Sequence, residues 1–189
     1  RRICASKALE TIVTISDYSA QSIRKHAGGD RHVEVLFAPE KNRTEPEAFA
    51  HRGINFEDEP YLVLLNAGRV EKNAASAVAA MDALFADPGF AGSNPRLKLV
   101  LVGIDNISEL GIETPREHRR IVAIPHLSPA HLEYLVQKSR GLLYPSFNEG
   151  FGYPPLEAMS LGIPSVVSDR CSIPEVCGPA ASYCDPFDI

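Results

Sequence analysis

Four charged side chains in two short stretches carry the chemistry open to this sequence. Glu149 and Glu157 flank Gly150-Phe151-Gly152-Tyr153-Pro154-Pro155-Leu156, and Arg69 and Lys72 follow Gly68 in Asn66-Ala67-Gly68-Arg69-Val70-Glu71-Lys72-Asn73. Glycine at 150 and 152 lets the backbone reach φ > 0 and approach a ligand closely. The stretch opens a helix expected to end near Gly162. Free N–H groups at a helix start, with the helix dipole behind them, favour anionic or oxygen-rich ligands. A carboxylate in such a loop accepts hydrogen bonds from hydroxyls. Arginine grips two phosphate oxygens at once, and lysine offers a point charge. The combination predicts a site for a molecule carrying both phosphate and sugar.

Metal chemistry has no comparable set. His126 and His131 stand without a cluster of Cys, Asp or Glu at metal-ligand spacing, and no Asp-x-Asp pair follows a strand. No metal or other cofactor is expected. The four cysteines, Cys4, Cys171, Cys177 and Cys184, lack C-x-x-C spacing and read as free thiols of a cytosolic protein.

The elements that must position these groups alternate. Thr11–Ile15 is a β-branched strand, Ser16 to Ser19 supply helix caps, and Ala20–His26 carries a helix to a Gly28-Gly29 stop. Val33–Pro39 reads as a second strand, and Glu40–Pro60 as a polar linker or surface excursion. Tyr61–Leu65 is a continuous apolar run, the mark of a strand buried on both faces of a parallel sheet. Ala74–Phe85 follows as an alanine-rich helix ended by Pro88-Gly89. Leu97–Val102, Ile121–Ile124, Leu142–Tyr144, Ser165–Val167 and Ala181–Cys184 are further strands. Asp105–Arg120 is polar, with a short helix or an irregular excursion. Ser128-Pro129 starts a helix that reaches about Ser139. Alternation of this kind predicts a Rossmann-like α/β fold, an open parallel sheet with helices on both faces. Right-handed crossovers then place all strand carboxyl ends on one side, where such sheets bind ligands.

The 189 residues suffice for one well-buried α/β domain, and 44% hydrophobic with 23% charged residues is ordinary for a soluble protein. A formal net charge of −5 gives no general attraction to nucleic acid or anionic lipid. No stretch approaches the roughly 20 apolar residues needed to span a bilayer.

The stretch Glu149-Gly150-Phe151-Gly152-Tyr153-Pro154-Pro155-Leu156-Glu157-Ala158-Met159 resembles the E-x7-E signature of retaining glycosyltransferases with the GT-B fold, the large family of sucrose and glycogen synthases and many bacterial mannosyltransferases. Ser160-Leu161-Gly162-Ile163-Pro164-Ser165-Val166-Val167-Ser168 is similar to the run that continues it there. The resemblance implies one half of a GT-B fold: residues 61–189 as a C-terminal nucleotide-sugar-binding domain, and 1–60 as the end of an N-terminal domain with the crossover. The chain reads as a fragment, because Arg1 replaces an initiator methionine and Asp185-Pro186-Phe187-Asp188-Ile189 stops short of the helices expected after it.

By the same resemblance, Glu149 lies near the donor sugar and Glu157 accepts from the ribose hydroxyls. Gly150, Phe151 and Gly152 offer backbone N–H groups, and Gly68 exposes the cations. Arg69 and Lys72 stabilise the departing diphosphate without a metal, although only Val70 and Glu71 separate them, a shorter spacing than the family's. Ile124 and Leu127, at the end of their strand, wall the base or serve the core. Glu175, in Ile173-Pro174-Glu175-Val176, reads as a helix-start carboxylate favouring the dipole.

The implied activity is retaining hexosyl transfer from a nucleotide sugar, with GDP-mannose preferred on Lys72-Asn73 and the Glu149–Glu157 run, to a glycan or lipid-linked acceptor. The partners expected are that GDP- or UDP-hexose, the acceptor and the rest of the N-terminal domain. Nucleic acid is not among them, and membrane association would come only through other parts. Two alternatives stay open: a non-catalytic nucleotide-binding or assembly module, and a GT-B nucleotide-sugar epimerase.

Overall fold

A computed structural model describes residues 10–27, 32–37, 43–113 and 115–188. Its elements in chain order are β1 (Thr11–Thr14), α1 (Asp17–Ala27), β2 (His32–Val35), β3 (Ala50–His51), β4 (Ile54–Asn55), β5 (Tyr61–Leu64), α2 (Ala74–Ala86), α3 (Pro88–Ser93), β6 (Lys98–Val102), β7 (Ile121–Ile124), α4 (Pro129–Lys138), β8 (Gly141–Tyr144), α5 (Tyr153–Ser160), β9 (Ser165–Ser168), α6 (Ile173–Cys177) and β10 (Ser182–Cys184). The expected Gly28-Gly29 stop, the end of the second strand beyond Phe37, and Cys4 lie outside the described residues.

The apolar runs become the centre of one sheet. Its six strands are all parallel, in the order β10-β9-β8-β5-β6-β7. Alternate side chains of each run go to opposite faces. Tyr61, Val63, Val100, Val102, Val122, Ile124 and Leu142 pack with Tyr134 and Leu135 of α4, Ala158 of α5 and Ile173 of α6. Leu64, Leu99, Leu101 and Ala123 meet Ala77, Val78, Met81 and Phe85 of α2 on the other face. The alanines of α2 let that helix lie close to the strands. Helices on both faces and parallel strands are the expected Rossmann-like arrangement.

The strand order matters for the site. The first strand, β5, lies at the middle; β6 and β7 extend the sheet one way, and β8, β9 and β10 the other. Loops leaving β5 and β8 therefore diverge above a crevice at the carboxyl ends, the topological switch point of open α/β sheets.

β1 and β2 form a separate parallel pair, Thr11 facing His32 and Thr14 facing Val35, with α1 as the crossover. The segment before β5, expected as a linker, holds the β3–β4 hairpin. Arg52 and Gly53 both have positive φ at its tip (48° and 78°), the pairing a two-residue turn matched to strand twist requires. Phe49 and Phe56 anchor it, with Phe56 packed 5.3 Å from the Tyr61 ring. Pro88-Gly89 does not simply end a helix: Asp87 caps a new one, its Oδ1 accepting from Phe90 N at 2.7 Å with Pro88 at the first position. Residues 105–120 contain two short 3₁₀ turns, the first with a capping box between Asn106 and Glu109. Ser128 caps α4 as expected, accepting from His131 N at 3.2 Å.

Candidate functional site

The loop after β5 is built to turn tightly and turn one cation inward. Ala67 N donates to Val102 O at 2.8 Å, which presses the loop against the end of β6. A Cβ on Gly68 would stand 2.9 Å from the Gly103 carbonyl, so no other residue fits here without moving backbone. A 3₁₀ turn over Val70–Lys72 follows, closed by Asn73 in the left-handed conformation (φ 56°). The Asn73 side chain donates to Pro186 O at 2.9 Å, fixing this corner to the segment after β10. The turn separates the two expected cations. Lys72 is buried, its side chain 7% exposed, whereas the Arg69 side chain is 65% exposed and pairs with Glu71 at 2.5 Å. Arg69 precedes the turn in extended conformation (φ −93°, ψ 121°) while Lys72 ends it, so the two side chains leave the chain in different directions.

The loop after β8 supplies the partner. Phe147 N donates to Glu71 O at 2.8 Å, tying the two loops together. Lys72 Nζ then donates to Glu149 Oε1 at 2.5 Å and to the Tyr144 hydroxyl at 2.8 Å. Its ammonium also stands 4.9 Å from the Tyr144 ring centre. Both ends of the ion pair are nearly dry, with 7% and 12% side-chain exposure. Burial, and then the neighbouring Glu149 charge, push the Tyr144 phenol well above its ordinary range, so it stays protonated at any physiological pH. A buried charge pair of this kind is held by geometry rather than by net gain, since desolvation offsets much of the attraction.

Beyond Glu149 the chain runs through Gly150, Phe151 and Gly152 into α5. Gly152 has φ 105°, and a Cβ there would meet Ile173 Cδ1 at 2.5 Å, so both conformation and space demand glycine. Phe151 is 7% exposed and lies between Tyr153 (4.8 Å between ring centres) and Phe37 of the N-terminal segment (6.4 Å). The helix start itself offers less than expected. Pro154 and Pro155 occupy its first turn and carry no N–H, so the donors of this corner are chiefly those of the loop.

Glu157, one turn into α5, lines a recess of about 50 Å³ with Leu65, Pro129, Leu132 and Arg43, between α4 and α5 beside the end of β5. Ile124 does not line that recess. Its side chain is fully buried in the core, and its carbonyl accepts from Gly103 N (2.8 Å) and Ile104 N (3.3 Å). Of the two possibilities for Ile124, the packing role is the one its burial fits. Leu127 is partly buried against the same core.

Several contacts escaped sequence reasoning. Tyr144 closes an all-apolar strand and reads as core; its position at a strand's carboxyl end was the available signal. Ser16 and Ser172 bind carbonyls of the 149–151 loop, and no spacing rule links either to it. Glu175 serves a different helix from the one expected: its two oxygens accept from Asp17 N (2.8 Å) and Tyr18 N (3.1 Å), so it caps the start of α1. His131 packs on Phe49 at 4.9 Å between ring centres, and His126 is exposed. Cys171, Cys177 and Cys184 are free thiols, and burial raises the Cys177 thiol to about 11. Among the described residues no group of three or more His, Cys, Asp or Glu could hold a metal ion, and no helix is long and apolar enough to cross a membrane.

A buried ammonium held against a carboxylate, over the switch point of a parallel sheet, can steady negative charge on a ligand while the carboxylate takes hydroxyls. The chain is 53% identical over 58 residues to O-antigen chain mannosyltransferase B of Escherichia coli, covering 31% of this chain and 15% of that protein. It is 39% identical over 69 residues to O-antigen chain mannosyltransferase RfbU of Salmonella typhimurium, covering 36% of this chain and 20% of that one. The chain thus corresponds to a fifth or less of these relatives' length in the matched stretches. In three dimensions 99% of it superposes on 47% of the sucrose-phosphate synthase of Thermosynechococcus elongatus, with a TM-score of 0.71 at 18% identity, a likeness of fold to the GT-B glycosyltransferases. Residues 47–187 match the family described as Glycosyl transferases group 1, and with three-quarters of its length inside that match the chain belongs to this family.

Proposed function

We propose that this chain is the donor-binding part of a retaining glycosyltransferase that uses a nucleotide sugar, GDP-mannose before others. The observation that carries the reading is the Lys72 Nζ–Glu149 Oε1 contact of 2.5 Å, made between the β5 and β8 loops. In this reading Lys72 neutralises charge on the departing diphosphate, with Arg69 free to swing from Glu71 onto an outer phosphate oxygen. Glu149 accepts from donor-sugar hydroxyls, and Glu157 accepts from the ribose in the recess between α4 and α5. Leu127 flanks the base. Gly68 holds the cation loop against β6, and Gly150, Phe151 and Gly152 present N–H groups to the donor.

The bond from the sugar's anomeric carbon to the diphosphate oxygen breaks as the acceptor oxygen bonds to that carbon on the same face. The acceptor's proton passes to the leaving phosphate. No metal is required, because fixed cations take the developing charge. The mannosyl preference is supported by the names of the relatives and by Lys72-Asn73. We further assign residues 1–60 to the end of a preceding domain and its crossover, and 61–189 to the donor domain. The acceptor, a glycan or lipid-linked glycan, then meets the donor from the preceding domain, and the reaction takes place in the cytoplasm.

Calorimetric titration with GDP, UDP and ADP tests the reading. One nucleotide binds, EDTA leaves its affinity unchanged, and Glu157→Ala and Lys72→Ala each weaken it about 10- to 100-fold, the worth of one charge-assisted contact. A folded full-length protein that binds none of the three would sink the donor reading. The outward turn of Arg69 favours a second reading, a non-catalytic nucleotide-binding module. That one predicts nucleotide affinity without sugar transfer to any acceptor by the full-length protein.

A further inference from the structure

The loop that follows Glu149 is held by hydroxyls to which the donor reading gives no task. Ser172 Oγ lies 3.0 Å from the Glu149 carbonyl and 3.0 Å from the Phe151 carbonyl. Ser16 Oγ donates to the carbonyl between them, Gly150 O, at 2.7 Å, and Ser19 Oγ stands 3.3 Å from the same oxygen. Ser16 and Ser172 are both fully buried. They come from opposite ends of the described chain, Ser16 before α1 and Ser172 before α6. Ser16 is itself held, since its Oγ accepts from Ser19 N at 3.1 Å while Glu175 seats the first turn of α1.

Three consecutive carbonyls pinned in this way determine three N–H directions. In a trans peptide plane the C=O and the following N–H point opposite ways, and no peptide bond here is cis. Fixing the carbonyls of residues 149, 150 and 151 therefore orients the N–H groups of Gly150, Phe151 and Gly152. Those groups donate to no acceptor among the described residues. At Gly150 a Cβ would meet nothing within 4 Å, so its surroundings are open to a ligand. Without the serines, glycine at 150 and 152 would leave these planes free to rotate.

We propose that Ser172 and Ser16 are positioning residues that aim the N–H groups of Gly150, Phe151 and Gly152 at the diphosphate of the nucleotide-sugar donor. This rests on the donor-site reading above. Donors oriented before the ligand arrives need no reorganisation and lose little entropy on binding, which is why two residues that never touch the donor set its affinity. A serine hydroxyl has a single hydrogen, so Ser172 serves one of its two carbonyls at a time and its loss loosens both planes. Through Ser16 the N-terminal segment takes part in donor binding from behind the loop.

The test is calorimetry on the full-length protein with whichever of GDP, UDP and ADP it binds, and with the matching nucleoside measured by competition. Ser172→Ala is expected to weaken the diphosphate about tenfold and to leave the nucleoside unchanged. Ser16→Ala does the same to a smaller extent, about threefold, and decides the matter if Ser172→Ala does not fold. Equal losses on both ligands would mean that the serines only stabilise the fold, and unchanged affinity for the diphosphate would mean that they do not orient the loop. Either result overturns the proposal while the donor reading stands. A wild-type protein that binds no nucleotide overturns the donor reading itself, and this proposal with it.

Discussion

The Lys72–Glu149 pair makes a quantitative prediction about folding before any ligand is considered. At 2.5 Å, two unit charges in an effective dielectric of ~20 attract by ~7 kcal/mol, from which the desolvation of both partners must be subtracted. Lys72→Met leaves a carboxylate at 12% side-chain exposure with the Tyr144 phenol as a neighbouring donor. Because that carboxylate keeps some solvent, the cost sits at the lower end of the range for a broken buried pair, ~3 kcal/mol, roughly 6–12 °C in Tm. Glu149→Gln costs less, ~2 kcal/mol, since the amide oxygen still accepts from Nζ. Lys72→Met with Glu149→Gln removes both charges and should cost no more than the worse single change. The coupling energy from a double-mutant cycle by urea denaturation is then ~2–3 kcal/mol. A buried pair should keep most of it at high salt, where a surface pair would be screened. Additive losses within ~0.5 kcal/mol would show that the two side chains do not meet in solution and would remove the basis of the site.

Further substitutions separate local causes. Tyr144→Phe removes the phenol from Lys72 but keeps the ring, and should weaken nucleotide affinity about 3- to 10-fold in calorimetry with little change in Tm; an unchanged affinity would mean that Glu149 alone orients the lysine. Gly152→Ala combines φ 105° with a 2.5 Å approach to Ile173 Cδ1, and should lower stability by ~2–4 kcal/mol in urea. Adding Ile173→Val removes the clashing methyl and recovers only the packing part, because the backbone strain remains; full recovery would show that the strain is absent. Burial raises the Tyr61 phenol above its ordinary range, and so does burial at Tyr144. The folded chain thus holds protons that the unfolded chain releases near pH 10, so stability is complete below about pH 10 and falls as pH rises further. Thermal melts between pH 9 and 11 should show this decline, with a smaller slope in Tyr61→Phe; a flat profile would contradict the burial of these phenols.

What the sequence disclosed about the fold follows from which signals are local. β5, β6 and β7 were legible because a strand buried on both faces needs an uninterrupted apolar run, and Tyr61–Leu64, residues 99–102 and Ile121–Ile124 supply it. The β3–β4 hairpin was not, because two-residue strands have no periodicity and its anchors are the isolated rings of Phe49 and Phe56. Pro88 was read as a terminator when, with Asp87 before it, it opens a helix; the same proline serves either purpose, and the capping side chain decides. At the site, the spacing of Glu149, Gly150 and Gly152 and the pair Arg69 and Lys72 named the participants. It did not say which cation faces inward, since that depends on a 3₁₀ turn closed by a left-handed asparagine. Tyr144, Ser16 and Glu175 act across 72 to 158 residues of sequence, and Ser172 across 21 to 23. No local pattern encodes such contacts.

The order of strands explains why those long contacts exist at all. Chain direction carries β6 and β7 to one side of β5, and the chain then returns to lay β8 on the other side. The cation loop and the carboxylate loop thus belong to different halves of the sheet, 77 residues apart, and meet only when β5 and β8 pair through Leu62–Gly141 and Val63–Leu142. Before that pairing each half would hold an ionised side chain that cannot be buried at tolerable cost. Assembly of the sheet and neutralisation of the site are therefore one event. A buried lysine tolerated only in the completed sheet is a costly feature for stability alone, where an apolar pair of like volume would serve as well or better. Its presence at the crevice, beside loop N–H groups that donate to no acceptor among the described residues, is what a site for a negatively charged ligand requires.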